Sequence, residues 1–130
     1  MTIELLPLLI LAALQVKHWW VDFVNQTDEE VHSKGIYGNM VGIGHSVKHG
    51  ALIYVILLCV LPVNQAYYIA IADIFLHYHI DWIKMNYGER DIKNKTFWIQ
   101  LGLDQLAHQL CYILYLILFL YKDFYDLSWS

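Results

Sequence analysis

Residues 96–122, TFWIQLGLDQLAHQLCYILYLILFLYK, form the longest of four apolar segments in this chain. At a rise of about 1.5 Å per residue, a helix of this length crosses the roughly 30 Å hydrocarbon core of a bilayer. The segment nevertheless contains Asp104 and His108, four residues apart. Ionisable residues inside a membrane span are energetically expensive and usually mark a functional site. The stretch therefore predicts a membrane-spanning helix that carries part of a polar site.

Three further segments of similar character precede it. Together with segment 96–122, they give predicted helices over residues 3–25, 41–61, 65–86 and 96–122. The connections over residues 26–40 and 86–95 are polar and contain glycine, asparagine and charged residues, as expected of loops. The sequence thus predicts an all-α fold in which one domain, residues 1–130, forms a four-helix transmembrane bundle with up-down-up-down topology.

The composition excludes several other classes of protein. Hydrophobic residues make up 58% of the 130-residue chain and charged residues only 15%, against about 25% in typical soluble domains. The net charge is −4, and no basic cluster is large enough to follow a nucleic-acid backbone. A soluble globule, a disordered chain and a nucleic-acid-binding protein are all disfavoured, and a lipid bilayer is the expected partner.

The distribution of basic residues predicts an orientation. Seven of the eight Lys and Arg residues lie in or near the two polar loops, and only Lys122 lies near the opposite face. Because cytoplasmic loops carry an excess of basic residues, loops 26–40 and 86–95 are predicted to be cytoplasmic and both termini to lie outside.

Each predicted helix carries a pair of ionisable residues spaced i, i+4 near its cytoplasmic end, and this spacing places both side chains on the same helix face. In a four-span arrangement all the pairs fall at one depth, roughly 5 to 18 Å below the cytoplasmic surface. Five imidazoles and three carboxylates are therefore predicted to meet in the bundle core. The eight residues are His18, Asp22, His45, His49, His77, Asp81, Asp104 and His108.

This set of side chains predicts a metal site, because four-helix bundles build such sites from inward-facing residues on facing helices. Imidazole and carboxylate without thiolate suit zinc, iron or manganese. Eight ligands are too many for one tetrahedral zinc ion and suit two ions about 3.5 to 4 Å apart. Asp73 and Gln105 are predicted to orient the ligands from outside the metal shell. Two non-metal interpretations remain open: hydrogen bonding between helices and a proton relay.

Two lysines flank the predicted layer. Lys48 and Lys84 could bind an anionic group of a substrate, and the alternative is that both extend to the lipid headgroups. The acidic loop TDEEVHSKG, residues 27–35, could cover the site as a lid with Glu29 or Glu30 as a base. His79 is two residues from both His77 and Asp81, so it is expected to face away from them.

Four motifs carry a resemblance to a known family. They are HxxxDFxxQ from His18, HxxxH from His45, HxxxDxxK from His77 and DQxxH from Asp104. Their combination resembles an uncharacterised domain-of-unknown-function family of small four-span membrane proteins encoded by bacteria and phages. The resemblance covers nearly the whole chain and implies the bacterial inner membrane. More distantly, the chain looks like membrane-bound metal-dependent hydrolases, which also place histidine and aspartate on transmembrane helices.

Three functional hypotheses follow. The leading one is a membrane-embedded hydrolase in which a metal-activated water attacks a phosphoester or carbonyl of a lipid-like or amphipathic substrate at the cytoplasmic interface. The second is a di-iron membrane oxidoreductase acting on lipid. The third is non-enzymatic: a metal or proton transporter, or a phage module that acts on a host membrane protein. A homo-oligomer is compatible with all three.

Overall fold

The computed structural model describes residues 5–120, and within them the chain is helical without any β-strand. The helices are α1 (Leu6–Trp19), α2 (Asp28–Ser33), α3 (Met40–Leu57), α4 (Val63–Tyr87) and α5 (Lys95–Tyr115). α1 continues into a π-helical turn at Trp20–Val24, and α5 into another at Leu116–Leu120. The predicted start of the first helix at residue 3 and the predicted end of the last at residue 122 lie outside the described residues.

Asparagine side chains fix the start of two long helices. The Asn39 side-chain oxygen accepts a hydrogen bond from the backbone N–H of Val41 (2.8 Å), and Asn94 does the same for Thr96 (3.0 Å). These bonds satisfy N–H groups that have no partner within the first turn of a helix. They set where α3 and α5 begin, and therefore the height of the histidines that follow.

The prediction that residues 26–40 form only a polar loop is wrong, because α2 lies within them. A capping box begins α2: the Glu30 N–H donates to the Thr27 hydroxyl (3.2 Å), and the Thr27 N–H donates to the Glu30 carboxylate (2.8 Å). α2 packs against α3 where Gly42 leaves room, since a Cβ at Gly42 would lie 2.8 Å from the carbonyl oxygen of Ser33. The short helix is thereby held against the bundle.

The interior of the bundle is divided into an apolar end and a polar end. The apolar end is a cluster contributed by α1, α3, α4 and α5; its buried residues are Ile10, Leu14, Ile53, Leu57, Leu61, Ala66, Ile69, Ala70, Tyr112 and Tyr115. The other end is filled by histidine, aspartate and lysine side chains. Large apolar side chains such as Val16, Val55 and Leu103 are more than half exposed on the outside. Polar groups inside and apolar groups outside are the arrangement expected of a protein in lipid.

Two helices are long and apolar enough to cross a membrane, namely Met40–Leu57 and the helical stretch Lys95–Leu118. In the other two long helices, buried charged residues interrupt the apolar stretch: Lys17 in α1, Asp22 in the π-helical turn after α1, and Asp73 and Asp81 in α4. The protein is thus all-helical with two candidate membrane helices.

Candidate metal centre

The structure brings the eight predicted ligand residues together in one buried layer. All eight are at most 7% exposed, and His45 and His49 are fully buried. Their ligand atoms form three overlapping groups in which every atom lies within 4.8 Å of the others. The groups are Asp22–His45–His49–His77, His18–His77–His108 and Asp81–Asp104–His108. They could hold a metal ion.

Asp22 is the centre of the first group. Its Oδ1 lies 2.9 Å from Nε2 of His45 and 3.2 Å from Nε2 of His49, and Nε2 of His77 is 3.8 Å away. Asp22 lies within the π-helical turn that ends α1, while its Oδ2 remains 3.2 Å from Nε2 of His18. π-helical turns occur frequently at functional sites. One carboxylate therefore joins ligands from α1, α3 and α4.

His108 is the centre of the third group. Its Nε2 lies 3.3 Å from Oδ1 of Asp81 and 3.6 Å from Oδ1 of Asp104. The rings of His77 and His108 lie with their centroids 4.2 Å apart, and His77 also belongs to the first group. The first and third groups are therefore two halves of one continuous centre.

His77 tests whether a metal fits this centre. The residue is 1% exposed, and among the described residues neither of its ring nitrogens has a hydrogen-bond partner. A buried polar atom without a partner costs roughly 1 to 3 kcal/mol. Oδ2 of Asp81 lies 3.2 Å from Nε2 of His77 without forming a hydrogen bond with it. A metal ion bound through Nε2 would satisfy this nitrogen, so the donor set fits.

Lys34 enters the centre from the C-terminal end of α2, and the sequence analysis did not predict it. Its Nζ lies 2.8 Å from Oδ2 of Asp81 and 3.3 Å from Oδ1 of Asp22. Burial alone would lower the pKa of Lys34, but the carboxylates of Asp81 and Asp22 outweigh burial and raise it. The T-x-x-E pattern of Thr27 and Glu30 could have signalled the helix that presents this lysine.

Glu30 and Lys48 form an ion pair beside the layer. Oε1 of Glu30 lies 2.7 Å from Nζ of Lys48 and 3.7 Å from Nδ1 of His45, and Lys48 also donates to the side-chain oxygen of Asn25 (2.8 Å). Burial opposes ionisation of Glu30, but the bond from Lys48 and that from the Thr27 N–H hold its pKa below the usual range. Lys48 is thus engaged outside the ligand groups, while Glu30 lies next to His45. Glu29 is exposed.

A second buried polar layer supports the histidines from the apolar end. Lys17 Nζ lies 3.2 Å from Nδ1 of His49 and 3.6 Å from Oδ2 of Asp73, and the Tyr115 hydroxyl donates to Asp73 (3.3 Å). Asp73 therefore contacts His49 indirectly, through the Lys17 ammonium group. The sequence analysis counted Lys17 only among the basic residues near the loops.

His18 is held by residues of α5. Its Nε2 lies 2.9 Å from the side-chain oxygen of Gln105, and its Nδ1 lies 3.1 Å from the hydroxyl of Tyr112. Gln105 thus contacts one of the candidate ligand histidines.

Lys84 and Asp104 both line a groove between α4 and α5. Lys84 Nζ donates to Oδ2 of Asp104 (3.2 Å). The groove has a volume of about 330 Å³, and its lining is mainly apolar, with Ile83 and Leu103 on opposite walls. Because Asp104 belongs to the third ligand group, the groove borders that group. His79 lies outside the centre, where its ring nitrogens contact the Tyr37 hydroxyl and the Phe75 carbonyl.

Comparison with known proteins identifies the family. The model of the family described as "Protein of unknown function (DUF3307)" matches residues 10–128. The chain belongs to this family. The match includes all eight ligand candidates of this DUF3307 protein, and it confirms the resemblance stated from the motifs. No curated protein and no solved structure matches the chain, so the more distant likeness to membrane hydrolases is not shown.

Proposed function

We propose that this DUF3307 protein is a membrane-embedded, metal-dependent hydrolase with two zinc ions. The observation that carries the proposal is the convergence of five imidazoles and three carboxylates in one buried layer. Hydrogen bonding between helices does not require so many ionisable groups at one depth, because each of them is expensive to bury.

The charge balance of the buried layers supports a divalent ion. Five carboxylates are buried, those of Asp22, Glu30, Asp73, Asp81 and Asp104, and four lysines pair with them, Lys17, Lys34, Lys48 and Lys84. One negative charge is left over, and buried charge is unstable unless it is compensated. Either a protonated imidazole or a divalent ion can supply the balance, and a bound hydroxide and an anionic substrate balance the positive charge that the ions add.

The overlapping groups suit two ions rather than one. The first group offers three imidazoles and a carboxylate, and the third offers two carboxylates and an imidazole. Two ions about 3.5 to 4 Å apart can activate a water and polarise a phosphoryl or carbonyl oxygen, and zinc lowers the pKa of its bound water to about 7. The chain itself supplies the ligands, their orientation and the exclusion of bulk water.

The groove between α4 and α5 favours a lipid-like or amphipathic substrate. Its apolar walls suit an acyl chain, and Lys84, which lines the groove together with Asp104, suits an anionic headgroup that reaches the third ligand group. The groove opens on the side of the protein that faces lipid in a four-span arrangement, which we propose as the topology, with loops 26–40 and 86–95 on the cytoplasmic side of the bacterial inner membrane.

The apolar end of the bundle argues against a transporter. On the far side of Lys17 and Asp73 from the histidines, the fully buried side chains of the described interior, such as Leu14, Ile53 and Ile69, are apolar and at most 1% exposed. An ion crossing the membrane would need polar groups along this half as well. Access from one face only is what a hydrolase of an interfacial substrate requires.

Elemental analysis of the detergent-purified protein tests the proposal. The variant His45→Ala/His49→Ala removes two proposed ligands, and His79→Ala removes a partly exposed histidine outside the centre. We expect one or two zinc ions per chain in the wild type and in the His79 variant, and loss of zinc in the double variant. Stoichiometric iron would instead favour the di-iron oxidoreductase. Folded protein without metal would overturn the proposal.

Two further measurements test the reaction and the topology. Zinc-dependent hydrolysis of phosphodiester or carboxylic-ester amphiphiles should be lost in the double variant. Metal-dependent flux into liposomes without turnover of these substrates would favour transport.

Cys59 is an exposed thiol that follows α3, at the end opposite the histidine layer. A membrane-impermeant thiol reagent should label it from outside in intact spheroplasts, and labelling only after lysis would contradict the orientation.

A further inference from the structure

Lys34 occupies an unusual position for a lysine. Its side chain is only 10% exposed, and its ammonium group lies between two carboxylates, those of Asp81 and Asp22. Asp22 belongs to the first ligand group and Asp81 to the third. The ammonium therefore lies at the junction of the two halves of the centre.

A metal ion and this ammonium group need the same oxygen atoms. Oδ1 of Asp22 accepts from Lys34 and is also the oxygen closest to the histidines His45 and His49. A divalent ion bound there takes up the negative charge that now attracts the lysine. Two positive charges at one buried carboxylate repel each other strongly in a medium of low dielectric constant. Binding of the metal must therefore weaken both ion pairs of Lys34.

We propose that Lys34 is the internal counterion of the metal-free centre, that metal binding displaces its ammonium group, and that the displaced group then binds the anionic group of the substrate. The proposal rests on the proposed metal centre and adds a substrate-binding residue to it. It also specifies the substrate class: an amphiphile whose headgroup carries a phosphoryl or carboxyl anion.

The other basic side chains near the centre are less suited to this role. Lys48 is paired with Glu30, and Lys17 with Asp73, and neither Glu30 nor Asp73 belongs to the three ligand groups. Lys84 contacts one candidate ligand, Asp104, but its side chain is 30% exposed, so water screens its charge. Lys34 contacts two candidate ligands and is buried. Only a long, flexible side chain at the edge of the site can exchange partners in this way.

The direction of a change in metal affinity tests the proposal. Zinc affinity is measured by chelator competition for the wild type, Lys34→Met, Lys34→Arg and the control Lys48→Met, which removes an equal charge outside the carboxylate pair. If Lys34 competes with the metal, Lys34→Met binds zinc about tenfold or more tightly, while Lys34→Arg stays close to the wild type. Lys48→Met changes affinity by about twofold at most, because its charge is exposed and screened.

The outcomes separate this proposal from the metal centre itself. If the wild type binds zinc and Lys34→Met binds it equally well or more weakly, the proposed role of Lys34 is wrong. The proposal of a metal centre is not affected by that result. Absence of zinc binding in every variant would overturn both.

A second measurement uses the wild type alone, so it does not depend on the folding of a variant. Lysine acylation by a small amine reagent is followed by mass spectrometry with and without zinc. Lys34 should be labelled at least about threefold faster with zinc bound, because its ammonium group leaves the buried carboxylates, whereas Lys48 should be unaffected. Equal or slower labelling of Lys34 in the zinc-loaded protein contradicts displacement.

Inorganic phosphate is the probe for the last step. Zinc-loaded wild type should bind phosphate about tenfold more tightly than zinc-loaded Lys34→Met, since a charge-assisted contact to an anion is lost in the variant. Equal phosphate affinity would show that Lys34 does not contact the anion, even where the displacement experiments succeed.

Discussion

Gly50 lies next to His49 in tight contact with α4, and its replacement tests how the fold positions the candidate ligands. A Cβ at Gly50 would overlap Cγ1 of Ile74 and lie 3.0 Å from the carbonyl oxygen of Ala70. Ile74 is β-branched and cannot turn away easily. Overpacking of this kind destabilises by about 1 to 3 kcal/mol, and alanine in a helix recovers about 0.5 to 1 kcal/mol relative to glycine. The expected net loss for Gly50→Ala is therefore about 1 kcal/mol.

Gly44 provides the matched control on the same helix, since a Cβ there would meet nothing within 4 Å. Gly44→Ala should stabilise the protein by about 0.5 to 1 kcal/mol, so the two alanine variants should shift the unfolding temperature in opposite directions. Circular dichroism in detergent measures both.

Gly50→Ala should also weaken zinc binding by about tenfold, because separating α3 from α4 separates His49 from His77, whose ring centroids lie 3.6 Å apart. Two outcomes would refute the idea that the close contact at Gly50 positions these histidines. One is an equal shift in the unfolding temperature of the two variants, and the other is undiminished zinc affinity in Gly50→Ala.

Further variants test the local structure around the centre. Glu30→Gln keeps the capping box but removes the negative charge. Because the pKa of Glu30 is lowered in the folded protein, the ionised carboxylate stabilises the metal-free fold above about pH 4.5, and this stabilisation is lost as the pH falls. The difference in unfolding temperature between wild type and Glu30→Gln should therefore shrink from pH 7 to pH 4. The control Glu29→Gln changes an exposed residue and should unfold at nearly the wild-type temperature at either pH. A difference for Glu30→Gln that stays constant with pH would contradict the stabilising role of the Glu30 carboxylate. Asn39→Ala should destabilise by about 1 kcal/mol in thermal unfolding through loss of the α3 cap, and an unchanged unfolding temperature would show that the cap is dispensable.

The residues of the centre could be predicted because they share a face and a height. The i, i+4 spacing places both residues of a pair on one helix face. In an antiparallel bundle, residues equally far from the loops at one end lie at the same level along the bundle axis. His77 and His79 illustrate the first rule, since two residues of separation place one inside the centre and the other against Tyr37.

Lys17 and Lys34 could not be predicted in the same way. Lys17 is adjacent to His18, so helix spacing alone places it on a different face, and only the packing of α3 brings His49 within reach of its long side chain. Lys34 lies in a stretch whose polarity resembles that of an ordinary loop. Its position depends on the contact between α2 and Gly42, which no periodicity in the sequence encodes.

The buried lysines explain why a site of this charge can exist in a folded chain before any metal binds. Asp22 and Asp81 belong to the first and the third ligand group, and Lys34 lies between them. Asp73 has its own counterion in Lys17. Without these ammonium groups the carboxylates or the neighbouring imidazoles would have to take up protons in the folded chain, and protonated groups are poor metal ligands. In the proposed metal centre, a lysine that follows a short helix outside the four long ones can leave when a metal ion binds, whereas Lys17 is enclosed by contacts with His49, Asp73 and the ring of Tyr112. The same charge balance that stabilises the metal-free bundle thus makes α2 part of the site.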